Sequence, residues 1–320
     1  MRGWRIDALG QPAVFTTLED RPPGPGEARV AIAACGLNFA DLLMAEGRYQ
    51  ERPPLPFVPG LELAGTVVDL GPGTQGPAPG TRVAVYAGHG GLAERGCFAV
   101  DSLIPIPDGM TMAEAAGFQI AYGTSHLALD HKARLQKGET LLVLGAAGGV
   151  GLTAVEIGKR MGARVIACAR GAEKLQIARA AGADEVIDSD HPDLKDALKA
   201  LGGADVVYDP VGGAAFDAAL RATRPDGRLL AIGFASGTVP QVPANLLLVK
   251  NLTVIGFWWG GYLAFAPQVL RDSLATLMRW HGEGGLRPHI SHLLPLERLP
   301  EGLDLLRSRA ATGKVVIEIA

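Results

Sequence analysis

Cysteine is scarce in this chain. Cys35, Cys97 and Cys168 are scattered through 320 residues with no paired spacing. An odd, sparse set excludes a disulfide framework and fits free thiols in a reducing cytoplasm. A long apolar run is also missing. The most apolar stretch, 141–155, is broken by glycines at 145, 148, 149 and 151 and is stopped by Glu156. It is too short for a membrane span and reads as a buried strand and turn. The first residues, Met1-Arg2-Gly3-Trp4-Arg5, hold no apolar stretch of signal-peptide type. Excess charge of one sign is lacking too. The net charge of −3 gives no global basic field for nucleic acid or anionic lipid, and basic residues do not alternate with aromatic ones.

Glycine (43) and proline (22) are plentiful, so the chain must turn often. The length suits two domains. Up to about residue 112 the chain reads as β-rich, with strands predicted at 28–34, 63–70 and 81–86. Turn clusters such as Pro22-Pro23-Gly24-Pro25-Gly26 and Gly71-Pro72-Gly73 separate them. This spacing predicts a small, partly closed barrel. A helix is predicted over 112–129, with Thr111 as N-cap and Glu114 three residues on. Strands at 140–144, 164–168, 185–188, 204–208 and 228–232 then alternate with helices at 149–161, 172–181, 192–200 and 214–222, and 251–256 offers a sixth strand. That rhythm predicts an α/β fold with a doubly wound parallel sheet covered on both faces. Beyond 257 the pattern changes to a helix at 266–280, short β-like pieces, a helix at 297–309 and a strand at 314–319.

The strongest motif is Gly145-Ala146-Ala147-Gly148-Gly149-Val150-Gly151, set between a predicted buried strand and a helix. Glycines allow a tight turn and let a pyrophosphate approach the backbone, while the helix N-terminus presents N–H groups and a positive dipole end. The motif lies inside a βαβ unit of about 30 residues, the context that dinucleotide binding requires. An NAD-selective site would place an acidic residue near the end of the second strand, against the ribose hydroxyls. Here that end reads Ala169-Arg170-Gly171-Ala172-Glu173-Lys174. Arg170 and Lys174 can both meet a 2′-phosphate, so NADPH is the expected cofactor.

Several motifs in order make the sequence resemble the medium-chain dehydrogenase/reductase superfamily, in its zinc-free quinone oxidoreductase (zeta-crystallin-like) branch, over essentially the whole chain. They are Cys35-Gly36-Leu37-Asn38-Phe39-Ala40-Asp41, Gly47-Arg48-Tyr49, Pro59-Gly60-Leu61-Glu62-Leu63-Ala64-Gly65, the glycine turn, Asp209-Pro210-Val211-Gly212-Gly213 and Gly313-Lys314-Val315-Val316. The resemblance implies a GroES-like, partly open β-barrel catalytic domain from 1–112 and 258–320, around an NADPH-binding Rossmann domain at 113–257. It implies a cofactor in the cleft and a dimer or tetramer, with a homodimer expected. Zinc-dependent relatives carry Cys and His ligands where this chain has Asn38 and Leu61, and leucine cannot bind zinc. Cys97 stands alone where those relatives have a four-cysteine lobe, and His289 and His292 suit an ordinary loop or strand. No metal is expected.

Without a metal, the expected acceptor is a quinone or conjugated carbonyl, because hydride addition to it gives a delocalised oxyanion. The resemblance places Asn38 beside the nicotinamide ribose and Tyr49 at the mouth of the site, as the two catalytic candidates. A turn cap for Asn38 and a packing role for Tyr49 are the plainer readings. It also implies cofactor contacts from Phe39, Asp41, Gly145, Ala147, Gly148, Gly149, Val150, Gly151, Ser189, Gly233, Phe234, Ser236, Phe257, Trp258 and Lys314. Two departures stand out: Ile120 where many relatives have threonine, and Ser189, flanked by Asp188 and Asp190, where some have tyrosine. The expected function is therefore zinc-independent NADPH:quinone reduction. An NADPH-dependent enone or enoyl reductase is the alternative, and an NADPH-binding structural or RNA-binding protein is the non-enzymatic one.

Overall fold

The computed structural model describes residues 1–319. These form two compact units: 1–120 with the chain from Pro288 onward, and 121–287.

The first unit is built around one long strand, Glu27–Leu37. Its first half alternates half-buried and buried residues, and Cys35–Leu37 is buried throughout. That change suits a strand that passes from one partner to another. Residues 27–31 pair with Arg95–Ala99, and residues 34–37 pair with the C-terminal strand Lys314–Glu318. Its opposite edge pairs antiparallel with Glu62–Leu70 over the full length, with two register shifts. The sheet continues through Arg82–Tyr86 to Leu103–Pro105 on one side and to Ile290–Pro295 on the other. Val30, Ile32, Leu63, Val83, Val85 and Phe98 fill its interior.

The second unit carries a six-stranded parallel sheet. Its spatial order is Glu185–Asp188, Arg164–Ala169, Thr140–Leu144, Ala204–Asp209, Thr223–Ala231 and Thr253–Gly256. This is the doubly wound order in which the strand sequence reverses beside the first strand, where such sheets take their ligands. Thr140–Leu144 is buried at every position, as a central parallel strand must be.

The expected elements of this sheet are present, and so is the Thr111 cap. Its hydroxyl accepts from the Glu114 N–H, and the Glu114 carboxylate accepts from the Thr111 N–H. The helix expected over 112–129 is not continuous. Met112–Ala116 ends at Gly117, Gln119–His126 starts anew, and Leu127–Lys132 widens into a π-helix. Gly117 is where the Lys314 side chain passes: a Cβ there would lie 3.2 Å from the Lys314 Cε. Residues 258–287, expected with the barrel, group instead with the second unit. Two contacts account for this. His126 Nδ1 and Ser273 Oγ are 2.8 Å apart and buried, and the Trp259 indole lies over Gly123. The short helices Phe39–Ala45 and Ala244–Lys250 have no periodic signal in the sequence.

Glycine spacing in the turn after Thr140–Leu144 follows from close packing. Gly145 has a φ of +59°, and a Cβ on Gly151 would lie 2.1 Å from the Gly145 carbonyl oxygen. Gly148 has ordinary backbone and room for a Cβ, whose nearest contact is that same oxygen at 3.3 Å. Gly151→Ala is therefore expected to cost ~2–3 kcal/mol through forced displacement of the helix, whereas Gly148→Ala costs less than ~1 kcal/mol. Urea unfolding of the two variants checks this, and equal losses would contradict the packing argument.

Candidate functional site

In the second unit, the buried strand Thr140–Leu144 delivers the glycine turn at its carboxyl end. Gly148 N–H donates to the Gly145 carbonyl at 2.9 Å, and Ala146 N–H donates to the Cys168 carbonyl at 3.0 Å. Helix Gly149–Arg160 follows, with Gly148 as an extended N-cap and no side-chain cap. Its first N–H groups are thus left to water or to an anion. A buried hydroxyl cluster braces this end of the helix. Ser125 Oγ donates to the Val150 carbonyl at 2.9 Å and sits 2.8 Å from Thr153 Oγ1 and 3.0 Å from the Tyr208 hydroxyl.

At the end of the next strand, Arg170 is exposed and Lys174 is half-buried one turn along. Arg170 is paired: its Nε lies 3.0 Å from Asp190 Oδ2. Ser189 N–H donates to the Ala169 carbonyl at 3.0 Å. The segment 232–237 is zipped to the third motif. Ile232 and Gly233 N–H groups donate to the Asp209 carbonyl, and Ser236 N–H donates to the Val211 carbonyl. Phe234 stays exposed. The Asp209 carboxylate accepts from the Val211 and Gly212 N–H groups at 2.7 and 3.0 Å, and burial pushes its carboxyl up to about 6. Phe257 is buried, with its ring 5.6 Å from that of Tyr262, whereas Trp258 is 41% exposed.

In the first unit, Asn38, Asp41 and Lys314 are brought together around Glu62, a residue of the 59–65 motif that carries no expected role. Lys314 Nζ donates to Glu62 Oε1 at 2.8 Å, to Asn38 Oδ1 at 2.8 Å and to the Leu37 carbonyl at 2.9 Å. All three ammonium hydrogens are engaged inside the protein. Asn38 Nδ2 donates to Glu62 Oε1 at 3.0 Å and to the Gly36 carbonyl at 3.2 Å. Glu62 Oε2 accepts from the Ile120 N–H at 3.0 Å. The amide of Asn38 has its orientation dictated, because an ammonium only donates and a carboxylate only accepts. It has no donor left. Asn38 is also the N-cap of Phe39–Ala45, where Asp41 Oδ2 accepts its backbone N–H at 2.8 Å. Phe39 itself is partly exposed.

Tyr49 belongs to a different group. It is half-buried beside Tyr86, whose hydroxyl donates to Glu51 Oε1 at 3.0 Å. Burial, with the Glu51 carboxylate second, holds the Tyr86 hydroxyl well above the usual tyrosine range. A buried glutamate in an apolar strand and a lysine in Lys314-Val315-Val316-Ile317 were the available signals for the first network. Nothing in sequence spacing pairs them across 252 positions.

The zinc-ligand positions of metal-dependent relatives hold Asn38 and Leu61, and Leu61 is 1% exposed in apolar packing. A cation ligated by the Asn38 oxygen would have to compete with the Lys314 ammonium already bonded there. Among the described residues, no group of three or more His, Cys, Asp or Glu side chains is arranged to hold a metal ion.

Comparison with known proteins adds three findings. The family model described as "Alcohol dehydrogenase GroES-like domain" matches residues 24–108, and that described as "Zinc-binding dehydrogenase" matches 149–279. A quinone oxidoreductase-like protein 2 homolog from Nematostella vectensis is 40% identical over 99% of this chain and 88% of its own. Among solved structures, the quinone oxidoreductase of Thermus thermophilus, also determined with NADPH, is 34% identical. It superposes with a TM-score of 0.87 over 99% of this chain and 100% of its own. The Escherichia coli quinone oxidoreductase complexed with NADPH gives 27% identity and a TM-score of 0.91, over 99% and 100%.

Asp41 generates a test of this site. It is buried, Oδ1 has no hydrogen-bond partner, and burial outweighs the Asn38 N–H and Lys314 to push its carboxyl up to about 7. A folded value above the unfolded ~3.9 means that the native state binds this proton more tightly. Its stabilising effect is complete below pH ~4 and is lost as pH rises towards neutrality, with a slope of up to ~1.4 kcal/mol per pH unit. Asp41→Asn, which cannot ionise, is expected to flatten this dependence. Urea unfolding between pH 4.5 and 8 reads it, and parallel slopes for the two proteins would refute it.

Proposed function

The chain belongs to the quinone oxidoreductase branch of the medium-chain dehydrogenase/reductase superfamily, and from that premise we propose that it is an NADPH-dependent quinone reductase working without zinc. The observation that carries the reading is the glycine turn: an uncapped helix N-terminus at the end of a central parallel strand, with Arg170 and Lys174 past the end of the neighbouring strand. That arrangement fits a pyrophosphate on the helix N-terminus and a 2′-phosphate near the two cations. Bound NADPH would supply the hydride, and the quinone takes up that hydride and a proton to become a hydroquinone.

The protein's own groups divide the remaining work. Gly148 leaves the space in which phosphate oxygens approach the backbone. Asn38 has no N–H to give a developing oxyanion. Tyr49 stands as the candidate for the donor role on the family resemblance alone. Lys314, with every donor engaged, holds Asn38 in place and does not reach for phosphate. In the second unit Phe257 is buried against Tyr262, and Trp258 offers an exposed face. A quinone needs no Lewis acid to accept hydride, so orientation is the main contribution required.

The test is steady-state NADPH oxidation with a panel of quinones and enones, before and after exhaustive dialysis against a chelator. Quinone turnover that survives chelation, in protein without stoichiometric zinc, is the expected result. Activity lost on chelation and restored by zinc would overturn the metal-free reading. Turnover confined to enones would make the chain an enone reductase, and RNA binding without turnover would remove it from enzymology.

A homodimer in a reducing cytoplasm completes the reading. The three cysteines are free, and no helix among the described residues is long and apolar enough to cross a membrane. Leu248 and Val249, adjacent on helix Ala244–Lys250, are 78% and 69% exposed, and a contiguous apolar patch there would favour burial in an interface. Light scattering is expected to give about twice the 33.3 kDa chain mass. A monomer at micromolar concentration would contradict this.

A further inference from the structure

Two carboxylates from one strand end control the cation at its neighbour's end. Glu185–Asp188 runs parallel to Arg164–Ala169, with Asp188 in register with Ala169. Asp188 Oδ2 accepts from the Gly171 N–H at 3.1 Å, and its Oδ1 accepts from the Asp190 N–H at 2.9 Å. Gly171, at a φ of +79°, turns the chain into helix Ala172–Ala180. Asp188 thereby fixes the corner that carries Arg170 and also fixes the loop that carries Asp190. Asp190 then faces Arg170: Nε of the guanidinium lies 3.2 Å from Oδ1 and 3.0 Å from Oδ2.

This pair does little for stability. The Arg170 and Asp190 side chains are 67% and 59% exposed, and exposed ion pairs contribute little to folding. Its effect falls on whatever anion approaches Arg170. A 2′-phosphate there must share the guanidinium with a carboxylate already in contact and must sit close to that carboxylate's charge. A ribose hydroxyl meets neither penalty.

Resting on the NADPH reading above, we propose that Asp190 is a specificity-determining residue that competes with the 2′-phosphate for Arg170 and so holds down the preference for NADPH over NADH. Asp188 is the positioning residue that keeps the competitor in reach. The device differs from an acidic residue at the end of the second strand, which would exclude the phosphate outright. Here the acid comes from the third strand's end and weakens a cationic subsite that is still present.

Dissociation constants for NADPH and NADH, from fluorescence titration of the full chain at one low ionic strength, test this in wild type, Asp190→Asn, Arg170→Ala and the double variant. Asparagine keeps the shape and an acceptor for Nε while removing the charge. Asp190→Asn is expected to tighten NADPH about three- to tenfold with NADH within about twofold, and raising the salt to about 0.5 M should shrink the gain. In the Arg170→Ala background the gain should fall below about twofold, since the group competed for is gone. No tightening, an equal change for both nucleotides, or an undiminished gain without Arg170 would each overturn the proposal. If Arg170→Ala leaves the wild-type ratio of the two constants unchanged, the 2′-phosphate reading itself fails and the proposal falls with it.

Discussion

The buried pair of Glu62 and Lys314 is the interaction on which the first unit's site depends. Both side chains are almost wholly withdrawn from water, and removing two charges from water is costly unless hydrogen bonds satisfy what remains. The protein meets that condition with the Leu37 carbonyl, both ends of the Asn38 amide and the Ile120 N–H. Three strands are joined by it: Glu27–Leu37, Glu62–Leu70 and the C-terminal Lys314–Glu318. The chain's two ends thereby share one electrostatic centre, and Asn38 is held in one orientation as a result. Asp41, next to it, is desolvated by the same burial and remains a poor place for a negative charge near neutral pH.

The same centre explains how a chain matched by a model described as a zinc-binding dehydrogenase fits a reading without zinc. That model covers 149–279, a segment of the nucleotide-binding unit, whereas the ligand positions at issue are Asn38 and Leu61. Resemblance along the scaffold therefore says nothing about the metal. The side chains bear on it, and here the Asn38 side-chain oxygen accepts from the Lys314 ammonium while leucine, at the other position, has no ligand atom.

In the second unit, the glycine turn is shaped by backbone and its surroundings by side chains. The glycine turn owes its form to a carbonyl that tolerates no Cβ on Gly151, and the helix behind it is braced by Ser125, Thr153 and Tyr208. Carboxylates stand at the carboxyl ends of two strands of this sheet, Asp188 and Asp190 past Glu185–Asp188 and Asp209 at the end of Ala204–Asp209. Asp188 and Asp209 are committed to backbone N–H groups, and Asp190 is committed to Arg170. The Arg170–Asp190 pair is exposed, and exposed charge pairs are individually weak and readily altered, whereas the turn is held by backbone packing.

What the sequence by itself determined was local and periodic. The strand and helix alternation, the glycine turn between a buried strand and a helix, the Thr111–Glu114 cap and the replaced zinc positions all rest on residues within a few places of one another, where propensity, spacing and side-chain chemistry act directly. What only the tertiary structure decided was long-range pairing. Lys314 reads as a cofactor contact in the sequence and becomes the partner of Glu62. Asn38 reads as a catalytic candidate or a turn cap and becomes a saturated donor. Arg170 reads as a cation for a 2′-phosphate, with Asp188 and Asp190 only somewhere in the region, and proves to be in direct contact with Asp190, 20 positions away. Residues 258–287 read as barrel and pack with the parallel sheet's unit. The physical reason is common to all four. A buried or paired polar group is defined by who satisfies it, and strands distant in sequence supply that partner only once the sheet has set their register.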